Sequence, residues 1–250
     1  MSSPVLSESR WEAMQREDGR PTDLMTANGT VTKTGILLLV MMATLAWAWS
    51  AFWNDGAPNF NAFKPFFLGG AIVGLIAVLI GTFVPKLAMP MGFVYALAEG
   101  LFLAGVTMMF EVRYPGLPML AACFTTATLL SMLLLYRAGI IKASPGFVRG
   151  VIAATGGLFL GVALLMLLNV FGIGGGIRGA LYGNGAIGIG FSVLCVGLAA
   201  LNLVIDFDFI ENGAKRGMAK RYEWLGALGL LVTLVWLYIE ILRLLGKLRR

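Results

Sequence analysis

The chain has 250 residues, of which 58% are hydrophobic and only 13% are charged. A soluble domain usually has about 25% charged and about 45–50% apolar residues, so the composition predicts a protein whose main solvent is the lipid bilayer. The net charge of +6 does not indicate a nucleic-acid partner, because the basic residues are scattered between apolar segments.

The sequence lacks the residues that most catalytic and metal sites use. No histidine is present, which removes the commonest metal ligand and the commonest general base near neutral pH. Cys123 and Cys195 both lie in apolar runs and are interpreted as small apolar side chains. We therefore expect no enzyme activity, no metal site and no cofactor.

The first 33 residues are polar. They contain four basic and five acidic residues and no sustained apolar run. A cleaved secretory signal has its apolar core directly after a short basic start, so we do not expect cleavage here. We predict that residues 1–33 are a polar cytoplasmic tail and that residues 34–250 form a transmembrane domain.

Seven apolar runs follow, each close to the roughly 20 residues that a helix needs to cross the hydrocarbon. We predict spans at Thr34–Trp53, Phe66–Val84, Leu87–Phe110, Leu117–Tyr136, Val148–Phe171, Asn184–Ile210 and Tyr222–Leu245. The predicted fold class is therefore all-α, a polytopic membrane protein with seven transmembrane helices and with its termini on opposite sides.

The basic residues predict the orientation. With seven spans, twelve Lys and Arg residues fall on the side of the tail and seven on the other side. Because cytoplasmic loops carry an excess of these residues, we expect a cytoplasmic N-terminus, with the loop from Glu211 to Arg221 on the same side. The basic C-terminal end fits this rule poorly, and one re-entrant span would instead put both termini in the cytoplasm.

Small residues predict where helices approach closely in lipid. Two Gly-x-x-x-Gly repeats, Gly70–Gly74 and Gly157–Gly161, indicate such contacts in the second and fifth spans. In the last span, Gly226, Gly229 and Thr233 predict the most buried helix of the bundle.

The stretch GGGIRG at Gly174–Gly179 matches the pattern G-x-G-x-x-G. A dinucleotide site needs a βαβ unit around this pattern, and here an apolar span precedes it and another follows it. We predict a flexible loop and no nucleotide-binding function.

Four acidic residues fall in or near the spans: Glu99, Asp206, Asp208 and Glu240. A charged group at mid-bilayer costs at least about 2.5–3.5 kcal/mol on insertion scales, so such groups face a polar interior. The first six spans have no Lys or Arg in their interiors, which leaves Glu99 and Asp206 without a basic neighbour in the sequence. For Glu99, near the middle of its span, a functional role and a structural hydrogen bond are both open.

Asp206 and Asp208 point about 200° apart on a helix, so at most one of them faces the bundle centre. We expect Asp206 to face inward, on the same helical face as Asn202, and Asp208 to lie toward the headgroups. Glu240 has Arg243 three residues later, and an ion pair at the interface is its simpler explanation.

Three stretches resemble the bacterial branch of the Bax inhibitor-1 (transmembrane Bax inhibitor motif) family. They are TANGTVTKTGILLLV, YALAEGLFLAG and DFDFIENGAKRGMAKRYEWLGALGLLVTLVWLYIEILRLL, and the last is the most specific. The resemblance implies seven helices with the C-terminal helix central and the other six wrapped around it. It also implies a pH-sensitive calcium leak, attributed to two hydrogen-bonded aspartates on the last two helices.

The resemblance assigns the sixth-helix aspartate to Asp206, since Ile210 follows four residues later. The seventh-helix aspartate would fall near Thr233. Threonine does not ionise, so the implied pair of carboxylates is incomplete in this chain. Glu99 or Glu240 could supply the missing carboxyl, and we expect Glu99 to lie beside Asp206.

Two functions are consistent with these features. The first is a pH-sensitive cation (Ca²⁺) leak channel gated by intramembrane carboxylates, since Ca²⁺ takes hard oxygen ligands. The second is a non-conducting regulator that binds another membrane protein, such as a quality-control protease, through residues 1–33.

Both functions place the chain in the cell inner membrane as a multi-pass protein. The expected partners are the lipid bilayer, Ca²⁺ or a membrane protein, and no nucleic acid.

Overall fold

The computed structural model describes residues 23–54, 56–172 and 175–249, and this part of the chain is almost entirely α-helical. Its helices are α1 Ala27–Phe52, α2 Phe60–Phe83, α3 Ala88–Arg113, α4 Leu117–Arg137, α5 Pro145–Val170, α6 Gly175–Tyr182, α7 Ala186–Lys215 and α8 Tyr222–Leu248. A short antiparallel hairpin of β1 (Trp53–Asn54) and β2 (Ala57–Pro58) joins α1 to α2, and a 3₁₀ turn at Pro85–Leu87 joins α2 to α3.

All described helices except α6 are long and apolar enough to cross a membrane. The predicted class, an all-α multi-pass membrane protein, is confirmed.

Some helices extend beyond the predicted spans. α1 begins at Ala27 rather than Thr34, because the Thr26 side chain accepts a hydrogen bond from Gly29 N and caps the helix there. Residues 27–33 of the predicted tail are therefore the first turns of α1, whereas residues 1–22 lie outside the described residues. α7 likewise continues to Lys215.

The described helices divide into two compact units. The first unit, residues 23–115 and 206–233, contains α1, α2 and α3 together with the C-terminal part of α7 and the N-terminal part of α8. The second unit, residues 116–205 and 234–249, contains α4, α5, α6 and the remaining parts of α7 and α8.

In the first unit, glycines bring helix backbones into contact. A Cβ on Gly70 of α2 would lie 2.5 Å from Ala98 O of α3, and a Cβ on Gly100 of α3 would lie 2.6 Å from Met41 O of α1. Packed atoms do not tolerate such overlap, so glycine is required at both positions. The close contact that the repeat at Gly70 predicts is confirmed.

The segment before α1 pairs with the connection between α7 and α8. Leu24 and Ala219 form an antiparallel bridge, and Met25 N donates to Met218 O at 2.7 Å. The start of α1 and the start of α8 therefore lie on the same side of any membrane that the helices cross. An even number of crossings must separate them, and α1 to α5 with α7 supply six, so no re-entrant span is needed among them.

In the second unit, α5 contacts α7 and α8. Asn202 Nδ2 donates to Thr155 Oγ1 at 2.8 Å, and the rings of Phe159 and Trp236 lie 5.2 Å apart. The contact predicted at Gly157–Gly161 is wrong: a Cβ on either glycine would meet no described atom within 4 Å. The repeat has the right spacing, but within the described part of the chain no atom lies close enough to touch a side chain on that face.

The flexible loop predicted at Gly174–Gly179 is also wrong for its described residues, because Gly175–Tyr182 forms α6; Gly174 lies outside the described residues. Lys247 Nζ donates to Leu181 O at 2.9 Å, near the end of α6, and to Gly188 O at 2.8 Å. Glycines disfavour a helix in isolation. One hydrogen bond from a lysine far along the chain joins the end of this helix to α8, and the local sequence does not reveal it.

α8 is the most buried of the seven long helices. In its most apolar stretch 67% of the residues are buried, compared with 56% in the next most buried span, Pro85–Arg113. This confirms the burial predicted for Tyr222–Leu245, whereas a central position of the helix remains a prediction.

Gly70→Ala is expected to destabilise the protein, because overpacking of this kind costs about 1–3 kcal/mol. Gly69→Ala is the matched control, since a Cβ there would meet nothing within 4 Å. Thermal unfolding of both purified variants in one detergent measures the difference. Equal unfolding midpoints would show that α2 and α3 do not touch at Gly70.

Cysteine labelling tests the sidedness of the helices in a Cys123→Ser background. Asn28→Cys and Lys215→Cys are expected to react with a membrane-impermeant reagent from the same side, and Leu248→Cys from the opposite side. All three positions are exposed. Labelling of Asn28→Cys and Lys215→Cys from different sides would contradict the contact between the α1 start and the α7–α8 connection.

Candidate functional site

Asp206 lies on α7 with its carboxyl turned away from water. The residue as a whole is half-buried, but its Oδ2 atom is buried and has no hydrogen-bond partner in the described structure. Its Oδ1 atom lies beside α8, 3.6 Å from where a Cβ of Gly229 would be. The missing side chain at Gly229 therefore lets the carboxyl approach the backbone of α8.

Thr233 is the α8 side chain whose hydroxyl interacts with this carboxyl. Its hydroxyl also donates to Gly229 O of its own helix at 3.2 Å. The position to which the family resemblance assigns the partner of Asp206 is thus occupied by a threonine that interacts with Asp206.

The chemistry of this contact depends on one proton. A threonine hydroxyl has one proton and two lone pairs. When that proton goes to Gly229 O, the hydroxyl offers only lone pairs to Asp206, and a neutral carboxyl can donate to them. An ionised carboxylate instead requires the hydroxyl proton for itself. No charged side chain of the described residues interacts with Asp206, so among them only the Thr233 hydroxyl works against the desolvation of a carboxylate.

Glu99 is buried on α3. Its carboxyl faces α2, where a Cβ on Gly74 would lie 2.9 Å from Glu99 Oε2. The expected pair of Glu99 with Asp206 is not formed, because no hydrogen bond or electrostatic interaction links the two described carboxyls. The two carboxyls point in different directions: that of Glu99 faces α2, whereas that of Asp206 faces α8.

Two further candidates lie near Asp206 in the sequence of α7. Asn202 Nδ2 donates to Leu198 O and to Thr155 Oγ1, both at 2.8 Å, so this amide serves the packing of α7 against α5. Asp208 is half-buried and points about 200° away from Asp206 around the helix.

Glu240 is buried near the C-terminal end of α8. Arg243 Nη1 donates to both of its carboxylate oxygens, at 2.9 and 3.1 Å. The expected i,i+3 ion pair is present, and it neutralises this carboxylate.

Comparison with known proteins agrees with the fold and with the quoted stretches. The model of the family described as Bax inhibitor 1 like matches residues 3–250. The chain belongs to this family. No curated protein matches the chain, and no solved structure does.

Sequence reasoning missed one buried, ion-paired carboxylate of this Bax inhibitor 1 like protein. Glu223, at the start of α8, is 2% exposed and forms an ion pair with Lys33 of α1. Both residues stand at the ends of apolar runs, where a sequence pattern predicts solvated loop charges. No local signal links two positions that are 190 residues apart.

Thr233→Val is expected to destabilise this family member by about 1–3 kcal/mol, because it leaves the Asp206 carboxyl without its hydrogen-bonding neighbour. Thr34→Val is the matched control: Thr34 is 7% exposed and Thr233 is 8% exposed, and the Thr34 hydroxyl donates to Thr30 O of its own helix. Denaturant unfolding in mixed micelles compares the two. An equal loss of stability would mean that the Thr233 hydroxyl matters only for its own helix.

Proposed function

We propose that this protein is a pH-sensitive cation leak channel of the cell inner membrane, that it conducts Ca²⁺ and that its N-terminus is cytoplasmic. The observation that carries the proposal is the Asp206 carboxyl. It lies inside a candidate span, and its Oδ2 atom is buried without a hydrogen-bond partner among the described residues. An ionisable group in that setting is costly and is functional by default.

In the proposed mechanism, one proton on Asp206 decides the contact between α7 and α8. The neutral acid donates to Thr233 Oγ1 while Thr233 keeps its bond to Gly229 O. Ionisation removes this donor and leaves a desolvated negative charge beside α8. The two protonation states favour different contacts, which is the condition for pH to shift a conformational equilibrium.

The carboxyls of the first unit suit the proposed ion. Ca²⁺ prefers hard oxygen ligands, and carboxylates line cation-selective pathways. Glu99 has no electrostatic interaction with a described basic side chain, so no cationic side chain of the described residues competes with a metal ion for its carboxyl oxygens. Glu240 is neutralised by Arg243, and we assign it a structural role.

A non-conducting regulator that binds another membrane protein is the second candidate. One observation favours it: the hydrogen-bonding neighbour of Asp206 on α8 is Thr233, which cannot ionise. The chain therefore lacks, at that position, the second carboxyl that the family resemblance implies for a calcium leak. A membrane-bound quality-control protease is a partner of the kind that this candidate requires.

Ca²⁺ flux through reconstituted proteoliposomes, measured from about pH 5 to pH 8, tests the channel proposal. Asp206→Asn is expected to flatten the pH dependence, because asparagine keeps the shape of the side chain but does not titrate. Asp208→Asn, the same change on the other face of α7, is expected to keep the response. Parallel measurements with K⁺ and H⁺ identify the permeant ion.

Two outcomes of this experiment contradict the proposal in different ways. A full pH response in Asp206→Asn would make Asp206 a structural residue. An absence of flux at every pH in the unmodified protein would remove the channel proposal and leave the regulator.

A further inference from the structure

Three residues at the starts of α1 and α8 form a group that we call the clasp: Thr26, Lys33 and Glu223. The Glu223 carboxylate accepts hydrogen bonds from Thr26 N at 2.8 Å and from Thr26 Oγ1 at 2.9 Å, and it is ion-paired with Lys33. Lys33 Nζ also lies 5.1 Å from the ring centroid of Trp224. A carboxylate as buried as Glu223 is stable as an ion only with such a set of partners.

The clasp depends on a glycine. A Cβ on Gly29 would overlap the carboxylate of Glu223, so any larger residue would displace it. At Gly35, further along the same helix, a Cβ would meet no atom within 4 Å. α1 therefore contains one glycine that the clasp requires and a second that it does not.

The clasp lies at one end of a stripe on α8 that leads to the candidate site. The stripe consists of Glu223, Gly226, Gly229 and Thr233. These residues are three or four positions apart and so share one face of the helix. A Cβ on Gly226 would lie 3.1 Å from Thr30 of α1 and 3.3 Å from Ile210 of α7, and Gly229 faces Asp206. The two ends of the stripe are about 15 Å apart along the helix.

We propose that the clasp is a latch: it holds the N-terminal half of α8 against α1 and α7, and so keeps Asp206 and Thr233 in contact. The stripe between its two ends touches α1 and α7 through glycines, so few flexible side chains can absorb a shift of α8. Loss of the Lys33–Glu223 pair leaves a buried charge without its partner and allows the N-terminal half of α8 to move. The effect on flux rests on the proposed function, but the effect on helix packing does not.

Gly29→Ala tests the latch without changing any charge. In lipid nanodiscs we expect amide hydrogen exchange of residues 222–233 to become faster, and in proteoliposomes we expect the pH-dependent Ca²⁺ flux to change. Both changes should be about fivefold or more, the lower range of coupling between sites. Gly35→Ala is the matched control and should behave like the unmodified protein in both measurements.

Glu223→Gln tests the same latch by removing its charge, and it carries the test if Gly29→Ala does not fold. The expected changes in exchange and flux are the same. Glu211→Gln is the control, because Glu211 pairs with Lys215 at the end of α7 with side chains 44% and 67% exposed, and exposed pairs contribute little.

Each remaining outcome decides one part of the inference. Unchanged exchange in Gly29→Ala and Glu223→Gln would overturn the latch. Fast exchange confined to residues 222–226, with residues near Thr233 unchanged, would overturn its link to Asp206. If the unmodified protein conducts no Ca²⁺, the proposed function fails, and exchange around Thr233 still decides whether the latch exists.

Discussion

The free energy needed to remove a charged side chain from water governs the polar interior of this protein. Glu223 offsets it with Lys33 and with hydrogen bonds from the chain before α1, and Glu240 offsets it with Arg243. Asp206 has no charged partner in the described structure, only the Thr233 hydroxyl, and one oxygen of its carboxyl is buried without any hydrogen bond. A carboxyl that the fold leaves unpaired in this way stays neutral or changes its surroundings when it ionises. The unbonded oxygen, rather than burial alone, distinguishes Asp206 from the other buried carboxyls of the described residues.

The glycines on α8 allow the state of the Asp206 carboxyl to affect helix packing. Gly226 and Gly229 let neighbouring helices approach α8 so closely that Thr30 and Asp206 lie against its backbone. The carboxyl interacts with Thr233 of the same helix face, so the position of one hydroxyl proton becomes relevant to helix packing. The buried pair at Glu223 fixes the same face of α8 at its start. Electrostatic pairing and glycine contacts thus act on one helix surface.

Helix positions could be predicted from the sequence because crossing a bilayer requires roughly 20 apolar residues and places charges at the ends. Asp206 could be predicted as well, since an acid within an apolar run is rare. Which faces meet could not be predicted: Gly70–Gly74 and Gly157–Gly161 have the same spacing, yet only the first has a neighbouring helix among the described residues. Lys33 and Glu223 escaped prediction for a related reason, because a buried pair between distant positions has the same local sequence as two solvated loop charges.

Thr233 limits the kind of pH response that the proposed channel could draw from Asp206. Two interacting carboxyls lose their protons in two coupled steps, because the charge of each changes the affinity of the other. Threonine keeps its proton, so the contact between Asp206 and Thr233 changes with a single ionisation. Glu99 does not restore the second step, because no electrostatic interaction links it to Asp206 in the described structure. A hydroxyl opposite Asp206 therefore keeps a hydrogen-bonding contact between α7 and α8 while removing the coupling that a second acid would add.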